Sequence, residues 1–211
     1  MFFRITQIFF RIYFLLYHRV SIKGLPRLKK FLADRGGKPV ILAANHESYL
    51  DPPLIGMLFP NPIRFIAGDW LFEVPILRTL IPALGAVPVS PQNKNLAASL
   101  LRDTMGFINN GYSVLIFPEG ERTPDGKLLP LEGGTALIAS KTQAPIIPVW
   151  VDTFEAYPHF KRFPRPWRVA VEFGEPILPE TLPAGMPEKE RREALLAALK
   201  QSLEGMRDAT A

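Results

Sequence analysis

Two short stretches of this chain carry side chains that could do chemistry together. Asn45-His46-Glu47-Ser48-Tyr49-Leu50-Asp51 sets a histidine and an aspartate five residues apart, directly after the apolar run Val40-Ile41-Leu42-Ala43-Ala44. Histidine exchanges a proton near neutrality, its unperturbed pKa being about 6.5. A carboxylate on one ring nitrogen fixes the tautomer and leaves the other nitrogen to activate a hydroxyl. Asp51-Pro52-Pro53 also reads as a helix start, with Asp as N-cap and proline in the first turn, so the aspartate has a structural reason too. His46 follows a run of strand type, and ligands of α/β sheets bind beyond the carboxyl ends of strands.

The second stretch follows another apolar run, Ser113-Val114-Leu115-Ile116-Phe117. It opens into Pro118-Glu119-Gly120-Glu121-Arg122-Thr123-Pro124-Asp125-Gly126-Lys127, a turn-rich loop of carboxylates and cations. An acid near an arginine suits a polyol bearing an anion, because guanidinium binds phosphate oxygens as a fork and carboxylate accepts from hydroxyls. Taken alone, the same residues also make a solvated loop with a Pro-Asp-Gly turn.

Other chemistries lack their residues. With no cysteine in the chain, thiol nucleophiles, iron–sulfur clusters and disulfides are excluded. His46-Glu47 has no second histidine at position 50, no Gly-x-Ser-x-Gly elbow occurs, and Gly120 to Lys127 has the wrong spacing and no following Ser or Thr for a phosphate-binding P-loop. No metal is implied. Ser48 stands two residues from His46, where capping the turn is its natural use.

Taken together, the stretches resemble the glycerolipid acyltransferase family that includes lysophosphatidic acid acyltransferases. His46 and Asp51 fit its His-x4-Asp motif, and Phe117-Pro118-Glu119-Gly120-Glu121-Arg122 fits Phe-Pro-Glu-Gly-x-Arg. Gly85-Ala86-Val87-Pro88-Val89 is similar to the motif between them, and Ala144-Pro145-Ile146-Ile147-Pro148-Val149 to the closing apolar one. The resemblance runs from Pro39 to Val151. It implies acyl transfer from a thioester to a lysolipid hydroxyl, with His46 as base, Asp51 holding its ring, and Glu119, Gly120, Arg122 and Lys127 around the acceptor. Glu119 would take the hydroxyls and Arg122 the anionic group. The donor would be acyl-CoA or acyl-carrier protein, and no cofactor is implied.

The chain departs from the family at two places. Basic residues often follow the second motif and lie a little beyond the third, where Ser90 and Glu132 stand here. That leaves Arg122, with Lys127 or the backbone N–H groups opening a helix at Gly133-Gly134-Thr135, for an acceptor phosphate. Lysophosphatidic acid is the expected acceptor, another lysolipid with a zwitterionic or amino-acid head the alternative. A non-catalytic membrane-binding protein and a lipid hydrolase are the readings from other classes.

Elements must bring these residues together. Apolar and polar patterning predicts strands over 39–44, 63–67, 86–89, 113–117, 146–151 and 167–173, and helices over 52–59, 95–110, 133–142 and 187–207, with a Pro-broken helical stretch over 69–84. Such alternation argues for an α/β fold: a central, mostly parallel or mixed sheet flanked by helices. The 47% hydrophobic content supports one such core within 211 residues.

Ahead of it, Met1 to His18 is apolar except for Thr6, Gln7 and one stripe of Arg4, Arg11 and His18 at seven-residue intervals. Its uncharged run is shorter than the roughly 20 residues that span a bilayer. No small-residue cleavage site follows it. An amphipathic helix in the membrane interface is expected over 1–22, with the acyltransferase domain over 23–211. A net charge of +5 attracts polyanions; with this helix the expected partners are membrane lipids rather than nucleic acid, and the expected place is the cytoplasmic face, peripheral or monotopic. Tyr157 to Pro166, basic and aromatic, reads as a surface loop or as a contact for lipid headgroups or an acidic carrier, with His159 on the surface.

Overall fold

The computed structural model describes residues 2–75, 77–89, 96–157 and 165–209. Seven strands form one sheet: β1 (Arg19–Lys23), β2 (Ile41–Ala44), β3 (Arg64–Gly68), β4 (Ala86–Val89), β5 (Val114–Ile116), β6 (Ile146–Asp152) and β7 (Arg168–Phe173). Their order is β1-β7-β6-β2-β5-β3-β4. Every neighbouring pair is parallel except β6 with β7, as expected of a mostly parallel sheet.

β2 lies at the centre and is buried throughout, which is why its sequence is a continuous apolar run rather than an alternation. Successive side chains of a strand point to opposite faces, so the sheet divides the core. Leu42, Ala44, Leu115, Ile147 and Val149 face one apolar cluster with Phe14, Leu28, Leu54 and Leu84. These last come from α1 (Phe2–Tyr17), α2 (Leu25–Asp34), α3 (Asp51–Gly56) and α4 (Leu77–Leu84). Ile41, Ala43, Val114, Ile146 and Trp150 face the other cluster with Ile108, Ala139, Leu195, Leu199 and Leu203, from α5 (Leu96–Asn109), α6 (Gly134–Thr142) and α7 (Glu188–Asp208). The spacing of Leu195, Leu199, Leu203 and Met206, all buried, is that of one helical face.

The sequence-based elements hold with small shifts at their ends, Asn95 lying outside the described residues, but β1 and α2 are additions. β1 is an edge strand, almost wholly exposed, and so lacks the apolar signature of the inner strands.

The N-terminal helix packs differently from its expected polar stripe. Phe14 is fully buried. Gln7 Nε2 donates to the carbonyls of Gly56 and Phe59 at 3.1 and 2.7 Å, and Arg11 Nε to that of Met57 at 3.1 Å. His18 is buried as well, and burial holds its pKa below the usual value. Polar residues of α1 therefore bind the end of α3, while Ile5, Ile8, Phe9, Ile12, Leu15 and Leu16 are exposed. A boundary after residue 22 falls inside β1, which is hydrogen-bonded along β7. Among the described residues no helix is long and apolar enough to cross a membrane.

Candidate active site

β5, β2 and β6 are adjacent and parallel, so the segments leaving their carboxyl ends converge on one edge of the sheet. Those segments carry His46, the Phe117–Arg122 loop and Thr153.

Asn45 begins the arrangement. Its side-chain amide pairs with the backbone of Val151, Nδ2 donating to the carbonyl at 2.9 Å and Oδ1 accepting the N–H at 2.7 Å. A side chain thereby continues the β2–β6 ladder one step past the strand and fixes where the next residue stands. The His46 N–H donates to Glu119 Oε1 at 2.6 Å, and its carbonyl accepts from Thr123 N–H at 2.8 Å. The imidazole stacks on Phe117 with ring centres 3.8 Å apart. Backbone and ring are thus both held from the β5 side.

Nδ1 of His46 lies 2.7 Å from Asp51 Oδ2. The same oxygen accepts the N–H groups of Glu47 and Ser48 at 2.8 and 2.9 Å. Oδ1 accepts from Ser48 Oγ at 3.2 Å and from Thr153 Oγ1. Asp51 has no solvent exposure, and donors of this number offset the desolvation of a buried polar group. Its side chain does not cap α3: Leu50 is the N-cap, and Asp51 opens the first turn ahead of Pro52 and Pro53. Ser48 stays in the turn, its Oγ also accepting from Leu50 N–H at 3.1 Å. With an anion on Nδ1, the favoured tautomer carries its proton there and leaves the Nε2 lone pair to accept another.

Two further carboxylates lie close by. Glu47 Oε2 accepts the N–H groups of Thr153 and Phe154 at 2.6 and 2.9 Å, yet burial and the charge of Asp51 push its pKa well above the usual range. Glu119 is raised by burial, against the pull of the N–H groups of Leu129 and His46. Its Oε2 accepts the Leu129 N–H at 2.6 Å, so each carboxylate oxygen already serves a backbone amide. In this geometry Glu119 braces the loop that carries His46.

Gly120 turns the chain with φ of 74° and donates its N–H to the Phe117 carbonyl at 3.1 Å; that left-handed conformation suits glycine. Arg122 follows and lies over Tyr49. Lys127 stands apart, its exposed ammonium 3.0 Å from Asp125 at the loop tip. A cavity of about 410 Å³ runs from His46, Phe117 and Gly120 along the sheet beneath α5 and α6, past Leu100, Phe107 and Ile138. Glu132 and Thr135 line it as well. Ser90, and His159 with its neighbours 158–164, lie outside the described residues. Asn45, Tyr49 and Thr153 are the site residues that local pattern did not single out.

The family model described as Acyltransferase matches residues 19–152, which hold all of these loops except Thr153. The chain belongs to the acyltransferase family. The chloroplastic 1-acyl-sn-glycerol-3-phosphate acyltransferase BAT2 of Brassica napus is 29% identical over 133 residues, 63% of this chain and 37% of that protein. The 1-acyl-sn-glycerol-3-phosphate acyltransferase of Helicobacter pylori is 32% identical over 130 residues, 61% of this chain and 54% of that protein. The chain thus matches between about a third and a half of the length of these relatives. The crystal structure of the 1-acyl-sn-glycerophosphate acyltransferase PlsC from Thermotoga maritima superposes with a TM-score of 0.76 at 28% identity, covering 97% of this chain and 79% of that one. The α/β architecture is therefore shared well beyond the matched loops.

Proposed function

We propose that this acyltransferase moves a fatty acyl group from a thioester, acyl-CoA or acyl-carrier protein, to the free hydroxyl of lysophosphatidic acid. The observation that carries the reading is the 2.7 Å contact of His46 Nδ1 with buried Asp51, at one end of an apolar cavity that suits an acyl chain. The His46 Nε2 lone pair takes the hydroxyl proton as the oxygen attacks the thioester carbonyl. The new C–O bond leaves a tetrahedral oxyanion, which backbone N–H donors steady. Collapse breaks the C–S bond, and the imidazolium returns its proton to the departing sulfur. Asp51 stays ionised throughout and stabilises the imidazolium. Arg122 offers the acceptor phosphate a guanidinium fork.

Glu132 favours a second acceptor. A carboxylate lining the cavity would repel a phosphate and pair with an amine, as in a zwitterionic or amino-acid-headed lysolipid. At the membrane, the exposed apolar face of α1 is read as lying in the interface, with the site edge turned to the lipid.

The deciding experiment gives purified protein a panel of lysolipids with each donor and identifies products by mass spectrometry. A diacylated product only with lysophosphatidic acid supports the first reading, and one only with amine-bearing acceptors supports the second. Free fatty acid irrespective of acceptor would show a hydrolase, and no turnover with any pair would leave a membrane-binding protein.

A further inference from the structure

Thr153 lies one residue past the end of β6, with no solvent exposure, and the mechanism above makes no use of it. Its hydroxyl meets Asp51 Oδ1 and accepts from Ser48 Oγ at 2.8 Å, while its N–H donates to Glu47 Oε2 at 2.6 Å. Thr153 therefore joins β6 to Asp51 and to two of the residues between it and His46, Glu47 and Ser48. A threonine hydroxyl has one proton to give. Ser48 Oγ likewise has one proton, and of its two acceptors Thr153 Oγ1 at 2.8 Å is nearer than Asp51 Oδ1 at 3.2 Å, so the two hydroxyls form one small relay, Ser48 to Thr153 to Asp51 Oδ1. The opposite oxygen, Oδ2, bears the imidazole.

We propose that Thr153 is a positioning residue of the acyl-transfer reaction, its buried hydroxyl fixing the Asp51 carboxylate so that Oδ2 is presented to His46 Nδ1 and part of its charge is drawn away from the ring. The proposal rests on the acyl-transfer reading. Without this donor, Oδ1 loses a bond, the carboxylate becomes more basic, and the imidazolium beside it is held more tightly. The base then remains protonated to a higher pH. The other ionisable groups facing the pair are Glu47 on the same loop and Glu119 from the loop after β5, with Asp152 of β6 acting on Glu47. None of them is altered by changing Thr153 to a residue of equal shape.

The test compares Thr153→Val with Thr153→Ser in the purified full chain. Valine keeps the volume and removes the hydroxyl. The expected result is a fall in kcat of about tenfold, KM for both substrates within about twofold, and an acid limb of the pH–kcat/KM profile displaced upward. Thr153→Ser should return kcat and the acid limb to near wild type. If Thr153→Val fails to fold, Thr153→Ala takes its place in the same comparison. The downfield proton resonance of His46 Nδ1–H gives a second readout that needs no substrate, and it should move in the valine variant and return in the serine one. A folded valine or alanine variant with an unmoved acid limb and an unmoved Nδ1–H resonance overturns the proposal, as does a serine variant as impaired as valine. Absence of acyl transfer by the wild type would instead overturn the function reading, and the resonance would still decide the role of Thr153.

Discussion

The guanidinium carbon of Arg122 lies 3.8 Å from the centre of the Tyr49 ring, and Arg122 Nη2 reaches the Tyr49 hydroxyl at 2.9 Å. Tyr49 stands between His46 and Asp51 in the sequence, so the cation that would hold the acceptor is tied directly to the loop that holds the base. Cation–π contact and hydrogen bond together limit the rotamers of a long side chain, lowering the entropy lost when it binds an anion.

Arg122→Ala is therefore expected to lower kcat/KM for lysophosphatidic acid by about 10- to 150-fold, the loss of a charge-assisted hydrogen bond being worth roughly 1.5–3 kcal/mol. Tyr49→Phe keeps the ring and removes only the hydroxyl, and should cost about threefold, mostly in KM. Steady-state kinetics with varied acceptor would check both. Equal losses on an acceptor lacking phosphate would remove Arg122 from headgroup recognition.

His46→Ala should abolish transfer, by at least about 100-fold, while the melting temperature stays near wild type because the imidazole is partly exposed and its backbone bonds persist. Asp51→Asn should combine a similar loss of activity with a lower Tm. An amide placed there turns one oxygen into a donor against N–H and hydroxyl groups that need an acceptor, at a cost of about 1–3 kcal/mol and about 2–4 °C per kcal/mol for a chain of this size. Transfer surviving His46→Ala within tenfold would falsify the assignment of the base.

Glu132→Lys adds a cation to the cavity wall in place of an anion. Turnover of lysophosphatidic acid should rise, and that of an amine-headed lysolipid should fall, each by several-fold on the order of one charge-assisted contact. The reverse pattern would make Glu132 a phosphate-compatible element and remove the support for the second acceptor.

Glu47 predicts a pH signature in stability. Its pKa in the folded protein is raised above the ordinary 4.5 by burial and by Asp51. Between those two values the folded state binds more protons than the unfolded one, so its contribution to stability is greatest at low pH and falls as pH rises through that window. Glu47→Gln removes the titration and leaves an oxygen to accept from Thr153 and Phe154. Thermal melts across pH should show a flatter curve for the variant and, at neutral pH, a Tm higher by about 2–4 °C per kcal/mol relieved. A variant whose Tm tracks wild type at every pH would mean that folding does not raise the Glu47 pKa.

Removing α1 should destabilise the whole protein, because Phe14 sits in the core and burying such a ring is worth about 3–5 kcal/mol against alanine. The outer face is separable. Leu15→Ser with Leu16→Ser touches side chains that are 71% and 83% exposed, and should weaken pelleting with phospholipid vesicles while leaving Tm within a degree or two of wild type. Unchanged pelleting would move the lipid contact away from α1.

The strands buried on both faces were legible from the residues alone, because Val40–Ala44 and Ile146–Val151 are apolar runs that only a sheet interior satisfies. So was the chemistry available: a histidine with a carboxylate one helix start away, and an arginine on a glycine turn. The exposed β1 and the following α2 were not legible, since an edge strand carries no apolar run and Leu25-Pro26 hides a helix whose N-cap, Gly24, carries no capping side chain. Tertiary structure alone decided which groups meet. Asn45 with Val151, Glu119 with His46 and Thr153 with Asp51 are 106, 73 and 102 residues apart, and each pair exists because β2 lies between β5 and β6 with all three strands parallel. Local pattern reports which way a side chain can face. The order of strands is set by how the two apolar faces of the whole sheet are covered, and that order decides which loop ends share an edge.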